Sequence, residues 1–143
     1  MCLSKAGLAI AGTTSRARTN APNGAGVDFA INGYLYHLGD ADNNVIFTAA
    51  IQAALTSVIY LVSVNASNTV VVTAGSAVTT TAVAAGTSPL IWPDPPAGYC
   101  PIGAIRVDSG AGAFTAGTTA LTGGTVTATY YDLFAVPDAP IVA

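Results

Sequence analysis

The last third of the chain reads Tyr99-Cys100-Pro101-Ile102-Gly103-Ala104-Ile105-Arg106-Val107, then Phe114-Thr115-Ala116-Gly117-Thr118-Thr119-Ala120-Leu121, then Val126-Thr127-Ala128-Thr129-Tyr130-Tyr131-Asp132-Leu133. Three β-patterned runs are joined by Gly, Ser and Thr turns. Thr and Val suit a pleated surface and Gly suits tight turns. Almost no charge falls within these runs, and no nucleophile–base pair. Working outward, Val58-Ile59-Tyr60-Leu61-Val62-Ser63-Val64 predicts another strand, Asn65–Asn68 a turn and Thr69–Thr73 a return strand. Val27–Ile31 and Tyr34–Leu38 flank Asn32-Gly33, the residue pair that a two-residue type I′ hairpin turn demands.

The rest is less regular. Ala77–Val83 reads as a further strand. Thr48–Ser57 places Ile51, Leu55 and Val58 at helical spacing behind a possible cap at Thr48, so helix competes there with strand or loop. Ser88–Pro101 carries five prolines and breaks the ladders, with Trp92 and Tyr99 expected to pin the loop to the core. Residues 1–26 lack a period and read as an N-terminal arm that orders on a neighbour. Residues 27–134 form the β domain and 135–143 a Pro-containing tail. Glu is absent, and Lys and Gln occur once each, so the usual helix-surface residues are missing. The expected fold is all-β: a β-sandwich or jelly-roll-like barrel with an extended N-terminal arm.

Composition narrows the function. Charged residues are 8% of the 143, against about 25% in ordinary soluble domains. Residues 43–93 carry no charged side chain. So neutral a surface fits one covered by copies or by a partner. The net charge of −3 speaks against a nucleic-acid footprint, and Arg16 and Arg18 are too few to track phosphates. Val45–Val64 is long enough to cross a bilayer, yet it holds Gln52 and several hydroxyls and lacks a Lys/Arg flank. No membrane association is expected.

Reactive constellations are sparse. His37 is the only histidine, and a pairing with Cys100 has no local support. Cys2 and Cys100 are too few for a disulfide framework. Asp40-Ala41-Asp42-Asn43-Asn44 begins like a calcium loop, but Val45 stands where the EF-hand needs Gly and Ile51 where it needs Glu. Ordinary turn-forming is the favoured reading. Asp94, Asp108 and Asp132 are scattered. No catalytic residue, metal or cofactor is expected, and the chain reads as a non-enzyme. Tyr130 and Tyr131 are adjacent on a strand and so face opposite ways, leaving one for a partner.

The Gly33-Tyr34-x-Tyr36 hairpin resembles small structural proteins of tailed bacteriophages, the capsid decoration (cement) and head-fibre proteins. So do the Pro95-Pro96-Ala97-Gly98-Tyr99-Cys100-Pro101-Ile102-Gly103 approach and the Phe114-x-x-Gly117-Thr118-Thr119-x-Leu121 turn. The resemblance covers about residues 27–133. It implies a symmetric β protein, a homotrimer by preference, made in the host cytoplasm and carried on the capsid surface of the virion. Its partner would be the major capsid protein. The contacts it implies are Arg16 and Arg18, with Trp92, Tyr99 and Tyr131. A tail- or head-fibre module that binds a receptor or carbohydrate is the alternative.

Overall fold

Two long strands organise the molecule, one buried on both faces and the other on its inner face and at Ala104 of its outer face. The computed structural model describes residues 1–48 and 50–134, so the tail expected at 135–143 lies outside the described residues. In chain order the strands are β1 (Ala9–Ile10), β2 (Ala17–Thr19), β3 (Val27–Ile31), β4 (Tyr34–Leu38), β5 (Ala41–Val45), β6 (Ile51–Gln52), β7 (Thr56–Asn65), β8 (Val70–Ala74) and β9 (Val78–Thr79). A one-turn helix α1 (Thr80–Ala84) follows, then β10 (Tyr99–Ser109), β11 (Phe114–Thr115), β12 (Thr122–Gly123) and β13 (Val126–Asp132). The all-β reading is borne out, with the main sheet curled as a half-barrel.

That sheet runs β12-β13-β10-β7-β8, all antiparallel, with β9 also paired to β7. β7 is rich in β-branched residues and is buried from Ser57 to Val64. Burial within the chain accounts for the lack of charge in β7, while most of the remaining described residues of 43–93 are exposed or half-buried. Its inner face presents Val58, Tyr60, Val62 and Val64, and β10 adds Ile105 and Val107 beside them. The register shifts between Pro101 and Gly103, where a proline inside the ladder cannot donate. Phe47, Tyr60 and Phe114 meet edge-on, with centroids 5.2–6.4 Å apart.

The hairpin forms as its turn chemistry predicts. Asn32 and Gly33 take φ of 52° and 85°, both in the left-handed region that a type I′ turn needs. Val27 and Phe29 enter the main core, and Phe29 stacks on Tyr36 at 5.6 Å. Met1–Leu3 runs along the far side of β3: Ala30 N–H donates to Met1 O, and Leu3 N–H donates to Asp28 O.

Two expectations are corrected and one open reading is decided. Residues 1–26 are not an arm waiting for a neighbour: they order on their own domain. β1, β2 and β5 form a sheet, and Ala6, Leu8, Ala11, Ala17, Thr19 and Ala21 are buried. Helical spacing at Thr48–Ser57 does not give a helix. Ile51 and Leu55 are exposed, and Gln52 is drawn into the core instead. There its Nε2 donates to Thr56 O and Val107 O at 2.9 Å each, and Tyr60 Oη donates to its Oε1. The strand expected at Ala77–Val83 stops after Thr79, whose hydroxyl accepts from Ala82 N–H and caps α1.

The outer face of the sheet is strapped by the Pro-rich segment. Leu90 and Leu133 pack on Ile59, Leu61 and Ala104 in a second, smaller core. No described helix is long and apolar enough to cross a membrane.

Candidate functional site

The strap and the outer face of β13 bring two of the sequence-predicted contact residues together. Tyr130 turns inward onto the main core, while Tyr131, one residue on, turns outward and is 40% exposed. Trp92 does not enter the core. It stands 46% exposed at 6.4 Å from Tyr131, rings inclined at 67°. The strap is held close because Gly75, opposite it, has no side chain: a Cβ there would sit 2.9 Å from Ile91 O.

The apolar surface extends beyond this pair. Ile91 is exposed beside Trp92. Leu133 lies two residues along from Tyr131, hence on the same face. Leu133 and Phe134 then line an open apolar groove of about 230 Å³ with Met1, Cys2 and Pro101. Lys5 Nζ lies 5.4 Å from the centre of the Phe134 ring. Exposed or half-buried apolar side chains thus form two groups, Ile91, Trp92 and Tyr131 at the strap and Leu133, Phe134 and Met1 at the groove. Sequence reasoning found Trp92 and Tyr131 but missed Ile91, Leu133 and Phe134. Alternation carried one residue beyond β13 would have placed Leu133 with Tyr131.

Polar groups flank the strap group on β10. Arg106 Nε donates to Asp108 Oδ1 at 2.9 Å, and Ser57 Oγ donates to the same oxygen. Arg106 lies opposite Thr129 in the β10–β13 ladder.

The other predicted residues lie elsewhere. Tyr99 opens β10, half-buried, and its hydroxyl accepts from Asn65 Nδ2 at 3.3 Å. Arg16 and Arg18 are half-buried at β2, in a different sheet. Arg18 lies opposite Ala9, and its buried Nε has no partner among the described residues. Neither arginine pairs with a described acid.

The reactive candidates are separated. His37 Nδ1 pairs with Asp28 Oδ1 at 2.8 Å on the exposed face of the hairpin, while Cys100 is buried in the main core. Cys2 is buried in the same core, and its Sγ donates to Ser4 O at 3.0 Å. Burial, then the neighbouring Cys100, push its thiol up to about 11. Burial likewise pushes Tyr60 up to about 12 and raises Tyr130.

The Asp/Asn run that resembled a calcium loop is strand β5, and its side chains are spent on the N-terminal segment. Asp42 accepts from Gly12 N–H, Asn43 from Thr13 N–H, Asn44 from Thr19 N–H and Asp40 from Ala21 N–H, at 2.8–3.3 Å. No three His, Cys, Asp or Glu side chains among the described residues gather closely enough to hold a metal ion.

Compared with known proteins, the chain matches no family model, no curated protein and no solved structure.

Proposed function

We propose that this chain is a virion structural protein: a cement or decoration protein that binds the assembled head of a tailed bacteriophage and stabilises it without catalysis. The observation that carries the reading is the set of exposed apolar side chains Ile91, Trp92, Tyr131 and Phe134 on an all-β domain in which only 8% of residues are charged. Aromatic anchors with few charges around them and polar groups at the edge are the composition of a buried contact. In this reading these side chains seat on the major capsid protein, Arg16 and Arg18 add charge at the periphery, and homotrimers occupy symmetry positions of the shell.

The mechanism is mass action. A ligand of the assembled shell alone stabilises it by about 2.7 kcal/mol per site at a hundred times its Kd. Particles lacking the protein should release their genome at lower temperature, and adding back the purified chain should restore them. Adding back a Trp92→Ala/Tyr131→Ala double variant should not. Equal thermal and osmotic stability with and without the protein would sink the proposal.

The exposed Trp92–Tyr131 pair supports a second reading, a fibre module that binds carbohydrate or a receptor. Sugar rings stack on such aromatic faces, and Arg106 and Asp108 beside them are suited to hydroxyl groups. Glycan binding lost on Trp92→Ala would favour this reading over the first.

A further inference from the structure

The hairpin carries a surface that the proposed shell contact does not use. Ala30 and Asp28 of β3 turn their main-chain groups toward Met1–Leu3. Their partners across the hairpin, Leu35 and His37, therefore form the non-hydrogen-bonded pairs of the β3–β4 ladder. The N–H and C=O groups of Leu35 and His37 consequently point away from β3, along the outer edge of β4. Among the described residues none bonds to them. Free edges of this kind are ordinarily blunted with Lys, Pro, inward charges or bulges. β4 reads Tyr-Leu-Tyr-His-Leu and has none of these.

The face that β3 and β4 share with the core also outruns the core. Val27, Phe29 and Leu38 are buried at the hairpin's root. Toward the tip Ile31 is only half-buried, and Tyr34, paired with it, is 71% exposed. Leu35, on the opposite face, is 61% exposed.

We infer that β4 is a self-pairing edge, which joins antiparallel to β4 of a second copy of this chain about a two-fold axis at Tyr36. In that register Leu35 faces His37 of the second copy and exchanges both main-chain hydrogen bonds with it. The symmetric pair does the same, giving four bonds. Tyr36 meets its own counterpart at the closer, non-bonded spacing. Tyr34 of each copy comes to lie against Leu38 of the other. The overhanging tip of one hairpin is thereby seated at the root of its neighbour, where that neighbour's body begins. This fit is the argument for a second copy over an unrelated strand: the edge and the uncovered tip are completed by one operation. A five-residue ladder is short against the roughly 800 Å² per partner of a stable complex. The association is therefore concentration-dependent in solution and strengthened wherever copies are held side by side.

The test is the mass of the full chain by light scattering over a concentration series. Wild type should rise with concentration toward twice the mass of its smallest species. Leu35→Pro removes an outward-facing N–H without touching the β3 ladder, so the hairpin should survive. It should weaken self-association by about tenfold or more. Leu35→Lys, the natural edge-guarding residue, should do the same and serves if the proline variant does not fold. A wild type that stays monomeric throughout overturns the inference. So does a dimer unmoved in the folded variants, or a threefold mass unmoved by them; that last result would still fit the shell-binding reading.

Discussion

Gly103 shows how one missing side chain sets the packing of a distant segment. It sits on the inner face of β10, opposite Val62 of β7 and Asp132 of β13. A Cβ there would collide with Leu8 and stand 2.7 Å from Tyr131 O. Leu8 can bend away, but a main-chain oxygen in a ladder cannot. Gly103→Ala should therefore destabilise by about 1–3 kcal/mol in denaturant titration. Gly39→Ala, in open space, should change little. Titration adds a second residue-scale effect. Cys2 and Tyr60 are held protonated by burial, so the folded state keeps a proton that the unfolded chain releases. Their contribution is complete below pH 9. It falls between the thiol's ordinary 9.0 and about 11 for Cys2, and between the phenol's 10.0 and about 12 for Tyr60. Thermal melts across pH 8–11 should show Tm dropping from about pH 9 upward. In Cys2→Ser the onset should move upward, because only the tyrosine window remains.

At the scale of elements, β5 works as a clamp. Its side chains take three main-chain N–H groups of the N-terminal segment, at Gly12, Thr13 and Thr19, and Asp40 just before it takes a fourth, at Ala21. These bonds differ in worth. Thr19 is buried, and Asn44 both accepts from its N–H and donates to its hydroxyl. Asn44→Ala leaves the Thr19 N–H unpaired away from water, the hydroxyl keeping only Ala41 N–H, and should cost about 1–3 kcal/mol. Gly12 is exposed and water can replace Asp42, so Asp42→Ala should cost at most about 1 kcal/mol. Chemical denaturation of the two variants checks the order. The same contrast explains what could be read from residues alone. The hairpin was legible because Asn32-Gly33 specifies its turn locally, and β7 because β-branched residues fill it. The clamp was not, because Asp and Asn are turn formers until a partner strand lies beside them. The short helix α1 hid likewise behind Thr and Val. Of the candidate site, Tyr131 stood out as the member of an adjacent pair that must face outward, whereas Trp92 was expected on the core and stands exposed instead. Their contact depended on the path of a proline strap, which no period encodes.

For the whole molecule the question is where the folding unit begins. Composition placed its start at residue 27. The structure ties residues 1–26 in at three separate places. Met1–Leu3 extends the hairpin sheet, Leu8 packs over Gly103 while its N–H donates to Asp132, and β2 pairs with β5. Cys2, Ala6, Leu8 and Ala17 belong to the same buried cluster as Val62 and Ile105 of the central strands. Removing this segment would uncover the inner face of the sheet near Gly103 and leave both Asp28 and Ala30 without their strand partners. It would also release Asp42, Asn43 and Asn44 of β5 from their bonds to Gly12, Thr13 and Thr19. A chain beginning at residue 27 should therefore lose its cooperative melt and bind a hydrophobic dye, whereas the full chain should unfold in one transition. If residues 27–143 alone melt cooperatively within a few degrees of the full chain, the N-terminal segment is an accessory layer and the domain does begin at residue 27. If the melt is lost, loss of shell binding by an N-terminal truncation would report unfolding, not a missing contact. The roles of Arg16 and Arg18 must then be read from point substitutions that leave Ala17 and Thr19 buried.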